Sequence, residues 1–504
     1  MPEHLRALVV ILVVAALVFQ IARPLALRFV SANTFSSWRN AWLGLTLCLF
    51  VFHNFWVYAL LLVVWARHLA KRESQVVGVF FFLLFIAPPA TMNIPGFGVI
   101  NHLFPVSQYR LLTLALLLPA ALGLYRRRTT IRYGESPVDW MVLGYLALTC
   151  ALSFRDASLT GGLRLVFIHI TDIFLPYYVL SRSLRSLEDF KRALFGFALG
   201  VVVLSPLALF EVLRYWKLYT ALFAALGFNP FEYGGYLERA GVLRPDVTLG
   251  NSIVLGYVLM VGVGCYLFLR AYMPSSMRTH LGMGLLVGGV IWSLSRGPWM
   301  GLGLLILVYV FTGTKVVSRT IKLALTAGMG LLIAIQFPVG QFLIDLLPFM
   351  GESEAGSVEY RGDLLTQAIP VVLRNFWFGS TDFLSAPEMQ VMVQGQGIID
   401  IVNSYLAVAL SYGMVALVFY AGAFLLAALH TWQSLRQTKR HDEQVALLGR
   451  ALLATLLSIM LVIYTVSGIS AVPLVYWSVI GICVAYSHMV RSSRAEKNTL
   501  GRPS

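Results

Sequence analysis

Charge is scarce in this chain. Of its 504 residues only 12% are Asp, Glu, Lys or Arg, 58% are hydrophobic, and the mean hydropathy is +0.78. Soluble domains carry about 25% charged residues, so a soluble globular fold is excluded. Cysteine is scarce as well. Cys48, Cys150, Cys265 and Cys483 all fall inside apolar runs without paired spacing, which indicates neither a disulfide framework nor a thiolate metal cage. Repeats of fixed period and low-complexity tracts are absent too. What fills the chain instead is apolar runs of about 17 to 25 residues, each long enough to cross a hydrocarbon core of about 30 Å as a helix. The expected fold is therefore all-α: a polytopic transmembrane bundle of about 12 to 14 helices, with residues 1–504 forming a single integral membrane domain. The first run, from Leu5, is read as a retained helix and not as a signal sequence.

The candidate helices centre near residues 17, 55, 84, 117, 146, 172, 203, 260, 288, 306, 330, 415, 458 and 480. The run around His53 and Asn54 reads either as one tilted helix or as a broken pair. Loops rich in Lys and Arg stay in the cytoplasm. Placing both termini inside puts Arg67, Lys71 and Arg72, the Arg126–Arg128 run, Arg182, Arg185, Lys191 and Arg192, and later Arg436, Lys439 and Arg491 on the cytoplasmic side. The net charge of +15 is then mostly topology, and the short loops carrying it offer no nucleic acid a binding face.

Two long segments face outward in this topology, residues 214–250 and 338–401. The second is acidic: Asp345, Glu352, Glu354, Glu359, Asp363, Asp382, Glu388 and Asp400 stand against Arg361 and Arg374. Loops of such length in a compact bundle are often lids or binding elements. Its apolar stretch Leu364–Phe378, interrupted by Pro370, predicts one or two short helices along the membrane surface. Glycine pairs at small-xxx-small spacing, Gly297 with Gly301 and Gly284 with Gly288, predict close helix approach.

The stretch SLSRGPWMG sets Arg296 between two apolar runs, where a ninth helix reaches the outer face and Gly297–Pro298 is expected to turn the chain back. An arginine at the centre of a bilayer costs roughly 2.5 to 3.5 kcal/mol, whereas one near a helix end snorkels to the interface. Arg296 alone could be such an anchor. Its company argues for more: Arg239 and Arg244 precede the eighth helix, Arg361 lies in the acidic loop and Arg164 opens the sixth helix, all facing outward against the charge rule. A planar guanidinium clamps phosphate oxygens bidentately, so the group suggests an anionic ligand. Within the membrane, His169 and Asp172 are spaced to meet on one helix face, read here as a structural hydrogen-bonded pair. Glu211 is a further partner candidate. Tyr233, Tyr236, Trp377 and Phe378 suit sugar stacking or, more simply, the interfacial aromatic belt.

Three segments make the chain resemble the O-antigen ligase and polymerase superfamily of bacterial envelope glycosyltransferases. SLSRGPWMGLGL is similar to that family's Ser-x-Ser-Arg-Gly helix reversal, and RPDVTLGNSIVLGYVLM to its arginine-then-Gly-Asn helix entry. YRGDLLTQAIPVVLRNFWFGS through IVNSYLAVALSYGMVAL resembles its outer loop and Asn-containing helix start. The resemblance covers roughly residues 140–490. It implies that Arg244 and Arg296 contact the diphosphate of an undecaprenyl-diphosphate-linked glycan, with Asn403 at the acceptor side; the outward Arg239, Arg361 and Arg164, and Tyr405, are further candidate substrate contacts. Family ligases place a histidine just before that asparagine. Here the position is Val402, and none of the nine histidines lies in either long outer loop, which tilts the reading toward a polysaccharide polymerase.

Transfer from a lipid diphosphate has a good leaving group, so the protein need supply only charge stabilisation and orientation, without a metal or cofactor. Glu359, Asp363, Asp382 and Asp400 are the candidate general bases, and Glu359 is the one grouped with the two arginines as catalytic. The expected activity is polymerisation of exopolysaccharide or O-antigen repeats at the periplasmic face of the inner membrane. The alternatives are a ligase moving the glycan to a lipid anchor and a flippase for lipid-linked oligosaccharide. A flippase would carry charge through the membrane depth, whereas here charges gather at helix ends. The expected partners are the lipid-linked glycan, membrane lipid, and a chain-length regulator and flippase of the same pathway.

Overall fold

A computed structural model describes residues 1–73, 75–98, 101–127, 131–155, 158–228, 235–239, 241–313, 329, 336, 355–394, 397–439 and 442–500, with backbone alone at 355–358 and 495–500. The helix expected near residue 330, residues 338–354 of the long loop, and Tyr233 lie outside the described residues.

The chain is a helix bundle. The first four helices are α1 (Glu3–Ala26), α2 (Ala32–Phe52), α3 (Phe55–Lys71) and α4 (Val76–Leu83). A hairpin follows, β1 (Thr91–Pro95) with β2 (His102–Ser107), paired antiparallel. The next pass comprises α5 (Gln108–Leu112), a π-helical stretch Thr113–Leu117 and α6 (Leu118–Arg126). After α7 (Pro137–Leu152), a second π stretch, Ile170–Phe174, joins α8 (Leu159–His169) to α9 (Leu175–Ser183). Then come α10 (Leu187–Val202), α11 (Leu204–Arg214), α12 (Thr220–Ala225), the short pair β3 (Glu238–Arg239) and β4 (Val242–Leu243), α13 (Ser252–Leu269), α14 (Met277–Trp292) and α15 (Arg296–Phe311). After it, among the described residues, come α16 (Ala355–Arg374), a single turn at Pro387–Gln390, α17 (Ser404–Thr438), α18 (Glu443–Ile463) and α19 (Val472–Leu500). Among the described residues, eight helical stretches are long and apolar enough to cross a membrane. The most apolar 18-residue stretches of the spans Ser252–Tyr272 and Val472–Arg494 are 89% and 94% buried and form the centre, while that of α1, at 33%, is on the rim.

Four local features either decide between alternatives the sequence leaves open or depart from its reading. The run around His53 is a broken pair: His53 takes a left-handed φ of 48°, and Asn54 caps α3 by accepting from the backbone N–H of Trp56 (2.9 Å) and Val57 (3.2 Å). The helix expected near residue 84 stops early, because Pro88 and Pro89 cannot continue it, and the chain turns into the hairpin. Pro370 does not divide the loop helix, and α16 runs through it for 20 residues. Finally, Gly297 and Pro298 do not make the reversal. Ser293–Ser295 do, with Leu294 at φ 50°, and Arg296 is already the first residue of α15.

The split at His53 adds a pass and moves the N-terminus. Trp216 Nε1 donates to Glu3 Oε1 at 2.8 Å, so the chain starts at the same end of the bundle as residues 214–250. The termini therefore lie at opposite ends, and the expectation of both on one side fails. This arrangement places Arg23, Arg28 and Arg39 at the end that also carries Arg67, Arg126, Arg182 and Arg436, here called the arginine-rich end; the other is the site end.

Gly297 and Gly301 do admit a close neighbour: a Cβ there would fall 2.6 Å from Thr465 Oγ1 and 2.4 Å from Val462 Cγ2, so α15 lies hard against α18. Gly284 meets nothing within 4 Å. At the arginine-rich end, Arg182 and Asp139, both fully buried, pair at 2.8 Å, and Tyr177 Oη donates to the same carboxylate at 2.6 Å. Asp139 also closes the capping box of α7 with Ser136. Removing one partner of a buried pair strands the other charge. Arg182→Met is expected to cost about 3 to 5 kcal/mol, read as a lowered midpoint in a thermal unfolding scan.

Candidate active site

At the site end, three of the arginines expected there converge on the turn between α14 and α15. Arg239 Nη1 donates to Leu294 O at 2.6 Å, and Arg244 Nη2 donates to Ser295 Oγ at 3.3 Å. Ser295 is the residue before Arg296, which is half-buried at the first position of a 16-residue helix. A helix N-terminus carries about half a positive charge and unpaired N–H groups. Arginines from chain positions more than fifty residues apart thus meet at an end already disposed toward anions.

The chain just after Arg244 is held by a buried polar network. Glu211, fully buried at the end of α11, accepts from the backbone N–H of Leu218 (2.9 Å), Asp246 (3.1 Å) and Val247 (3.1 Å). Lys217 Nζ meets Asp246 Oδ2 at 2.6 Å and donates to Gly235 O at 2.8 Å. Burial raises the Asp246 carboxyl to about 6, against the pull of Lys217. Val247 sits at φ 48°, a genuine outlier for a β-branched residue. Together with Leu294 and Ser470 (φ 52°), it places backbone strain where functional sites concentrate it. Glu211→Leu leaves three buried backbone N–H groups without their acceptor and is expected to cost roughly 3 to 5 kcal/mol, seen as a lower unfolding temperature.

The other expected residues divide. Arg164 spends its guanidinium on the hairpin, donating from Nε to Leu103 O at 3.0 Å and from Nη2 to His102 O. It is a brace for β2, not a member of the arginine group. Asn403 caps α17, its Oδ1 accepting from Tyr405 N (3.0 Å) and Leu406 N (3.1 Å). Tyr405 turns into the bundle, its hydroxyl donating to Met460 O at 3.3 Å and its ring packing against Tyr420 and Phe424. Glu359 is exposed and Arg361 half-buried on α16. Asp400 has the more informative position. Its Oδ1 accepts from Ser467 Oγ at 2.8 Å, and Ser404 Oγ donates to Val466 O at 2.7 Å. This ties the start of α17 to the Thr465–Ser470 loop, whose Thr465 faces Gly297. Arg374 pairs with Glu388 at 2.6 Å, one arginine of the acidic loop used locally.

α17 is interrupted beside this site. Gly413 adopts φ 80°, ψ 179°, and the segment Phe376–Ser380 fills the break. Ser380 N donates to Leu410 O (2.9 Å) and Met414 N to Phe376 O (2.8 Å). Arg155 donates to Phe378 O (2.6 Å), Gly379 O (3.2 Å) and Ser411 O. Broken helices survive at membrane depth only where such partners satisfy the freed backbone. Leu364, Ala368 and Val371 of α16 pack with Leu406 and Leu410 above the break.

A cavity of about 700 Å³ opens between α5, α7, α8, α17 and α19, with Leu249–Asn251, just before α13, on its rim. Asp172 faces it, but its partner is not His169. Arg110 takes Asp172 in a fork, Nη2 to Oδ2 at 2.9 Å and Nε to Oδ1 at 3.3 Å. Sequence reading missed Arg110; its only signal is one further site-end arginine beginning an apolar run. Asp172 lies within the second π-helical stretch, and Arg110 lies in α5, the helix that leads into the first; single π turns often mark functional positions. His169 is buried in the wall, its Nε2 without a hydrogen-bond partner among the described residues.

The fold and this site define a multi-pass membrane protein with a cluster of arginines at one end of the bundle. Residues 281–421 match a family model described as O-antigen ligase. The match runs from α14 through the Arg296 turn and α16 to beyond the break in α17, and it bears out the resemblance to the O-antigen ligase and polymerase superfamily over that segment. A ligase- or polymerase-type glycosyl transfer is the activity the match supports. The chain matches none of the curated proteins.

Proposed function

We propose that the protein is a polysaccharide polymerase that transfers a glycan from undecaprenyl diphosphate to a sugar hydroxyl of an incoming lipid-linked repeat. The observation that carries this reading is the convergence of Arg239 and Arg244 on the Leu294–Arg296 turn at the N-terminus of α15. The positive-inside tendency puts the arginine-rich end in the cytoplasm of a bacterial inner membrane and the site end, with the N-terminus, at the periplasm.

In the proposed step the bond from the donor's anomeric carbon to the diphosphate breaks, and a bond from that carbon to the acceptor oxygen forms. The diphosphate leaves with the electron pair. Arg244 and Arg296, with the N-terminus of α15, stabilise the charge that grows on it, so no metal is required. The hydroxyl proton passes to Asp400, which the Ser467 and Thr465 contacts tie to the Arg296 turn. Asp400→Asn is expected to lower kcat by about 10²-fold, the low end of general-base effects; an unchanged kcat would remove Asp400 from this role. Val402, where family ligases carry histidine, favours polymerase over ligase.

Reconstituted liposomes given a synthetic undecaprenyl-diphosphate repeat unit test the reading. A ladder of lengthened products supports polymerase. Transfer solely to an added lipid acceptor supports a ligase, and movement across the bilayer without new linkage a transporter; either contradicts the proposal.

A further inference from the structure

The cavity beside the arginine group has a different chemistry from it. Its volume of about 700 Å³ lies within the roughly 300 to 1,000 Å³ usual for small-ligand sites. Among the described lining residues the formal charges are Arg110 and Asp172, and these cancel in their mutual fork. A phosphate would find its cation already compensated there. An uncharged polyol would find what vicinal hydroxyls need, donors and acceptors side by side: the guanidinium and carboxylate, both partly open at 15% and 21% exposure, the amide of Asn251 and the hydroxyl of Ser470. His169, 92% buried, adds a ring nitrogen with no hydrogen-bond partner among the described residues, a standing cost that a ligand hydroxyl removes. Five tyrosines share the wall, Tyr145, Tyr412 and Tyr476 among them, giving apolar ring faces for the C–H side of a sugar.

The cavity also adjoins the cationic turn. Leu249–Asn251 on its rim follow Arg244 by a few residues, and Ser470 Oγ donates to Leu249 O at 3.5 Å. Ser470 belongs to the same loop whose Thr465 faces Gly297. We propose that this cavity is the subsite for uncharged sugar rings of the acceptor glycan, with Arg110, Asp172 and His169 as its polar contacts. The acceptor assignment rests on the glycosyl-transfer reading; the binding of neutral saccharide does not.

Full-length protein in lipid nanodiscs tests this by saturation-transfer NMR. The two probes are the phosphate-free oligosaccharide repeat released from the source cell's own surface polysaccharide, and inorganic pyrophosphate. The wild type is expected to saturate the oligosaccharide. Ala407→Trp, which fills the cavity from α17, is expected to weaken that binding at least tenfold while leaving pyrophosphate binding unchanged. Ile469→Trp, on the exposed loop at the rim, provides the same block should the helix variant fail to assemble. No oligosaccharide signal in the wild type, or undiminished signal in a folded blocked variant, overturns the proposal. Loss of saccharide binding in the blocked variant, with no glycan transfer from undecaprenyl diphosphate by the wild type in liposomes, would instead sink the transfer reading and leave the subsite standing.

Discussion

Arg296→Ala is expected to lower the transfer rate about 10² to 10³-fold, a loss of about 2.7 to 4 kcal/mol of transition-state stabilisation, as when one preorganised donor is removed from an electrostatic site. Arg244→Ala should lose a similar amount. Both groups act where charge develops on the leaving diphosphate, so the fall belongs in kcat more than in KM. Lysine at either position should recover little, because a point charge does not reproduce the fork. Ser295→Ala, which takes from Arg244 its 3.3 Å hydroxyl contact, should cost about 1 kcal/mol, the net worth of one ordinary hydrogen bond. Rates measured in liposomes at saturating donor, with circular dichroism to confirm folding, check all of these. Full turnover by Arg296→Ala and Arg244→Ala would remove both from the chemistry.

The second large effect concerns the break in α17. At Gly413 a Cβ would lie 2.2 Å from Trp377 O, and at Gly379 2.5 Å from Leu410 O, with φ at 80° and 66°. Alanine at either position must both enter the left-handed region and push against backbone. The strain alone costs about 1 to 3 kcal/mol, and relieving the clash means expelling Phe376–Ser380 and exposing the carbonyls it satisfies. Gly413→Ala is therefore expected to abolish the folded protein or to free that segment to protease. Gly362→Ala on α16 is the counter-case. Nothing lies within 4 Å of its Cβ, and a helical glycine replaced by alanine should gain about 0.5 to 1 kcal/mol. Thermal midpoints of the two variants, moving in opposite directions, test the assignment.

How far the chain could be read beforehand varied by feature. Apolar runs bounded by charge set the all-α membrane class directly, since only helices or closed barrels satisfy backbone in lipid. The order of RPDVTLGNS and SLSRGPWMG was enough to place Arg244 and Arg296 at one end. The break at His53 was decidable as well: splitting that run moves Arg23, Arg28 and Arg39 to the arginine-rich end, which is what the charge rule favours. Other features had no local signal. Arg110 pairs with an aspartate 62 positions away, and neither flank announces it. Gly413 reads as an ordinary helix-interior glycine, because its conformation is set by the loop that docks on it. Arg164 and Tyr405 looked like site residues by location, yet hydrogen bonds to the hairpin and to α18 claim them.

Binding of undecaprenyl diphosphate to the wild type, Arg244→Ala, Arg296→Ala and the double variant, followed by native mass spectrometry from nanodiscs, tests the central claim most directly. If the two guanidinium groups grip one diphosphate, each single variant should lose nearly as much affinity as the double, giving a coupling energy of at least about 1 kcal/mol. Affinity that stays at the wild-type level in both single variants, or losses that simply add, would contradict a shared grip.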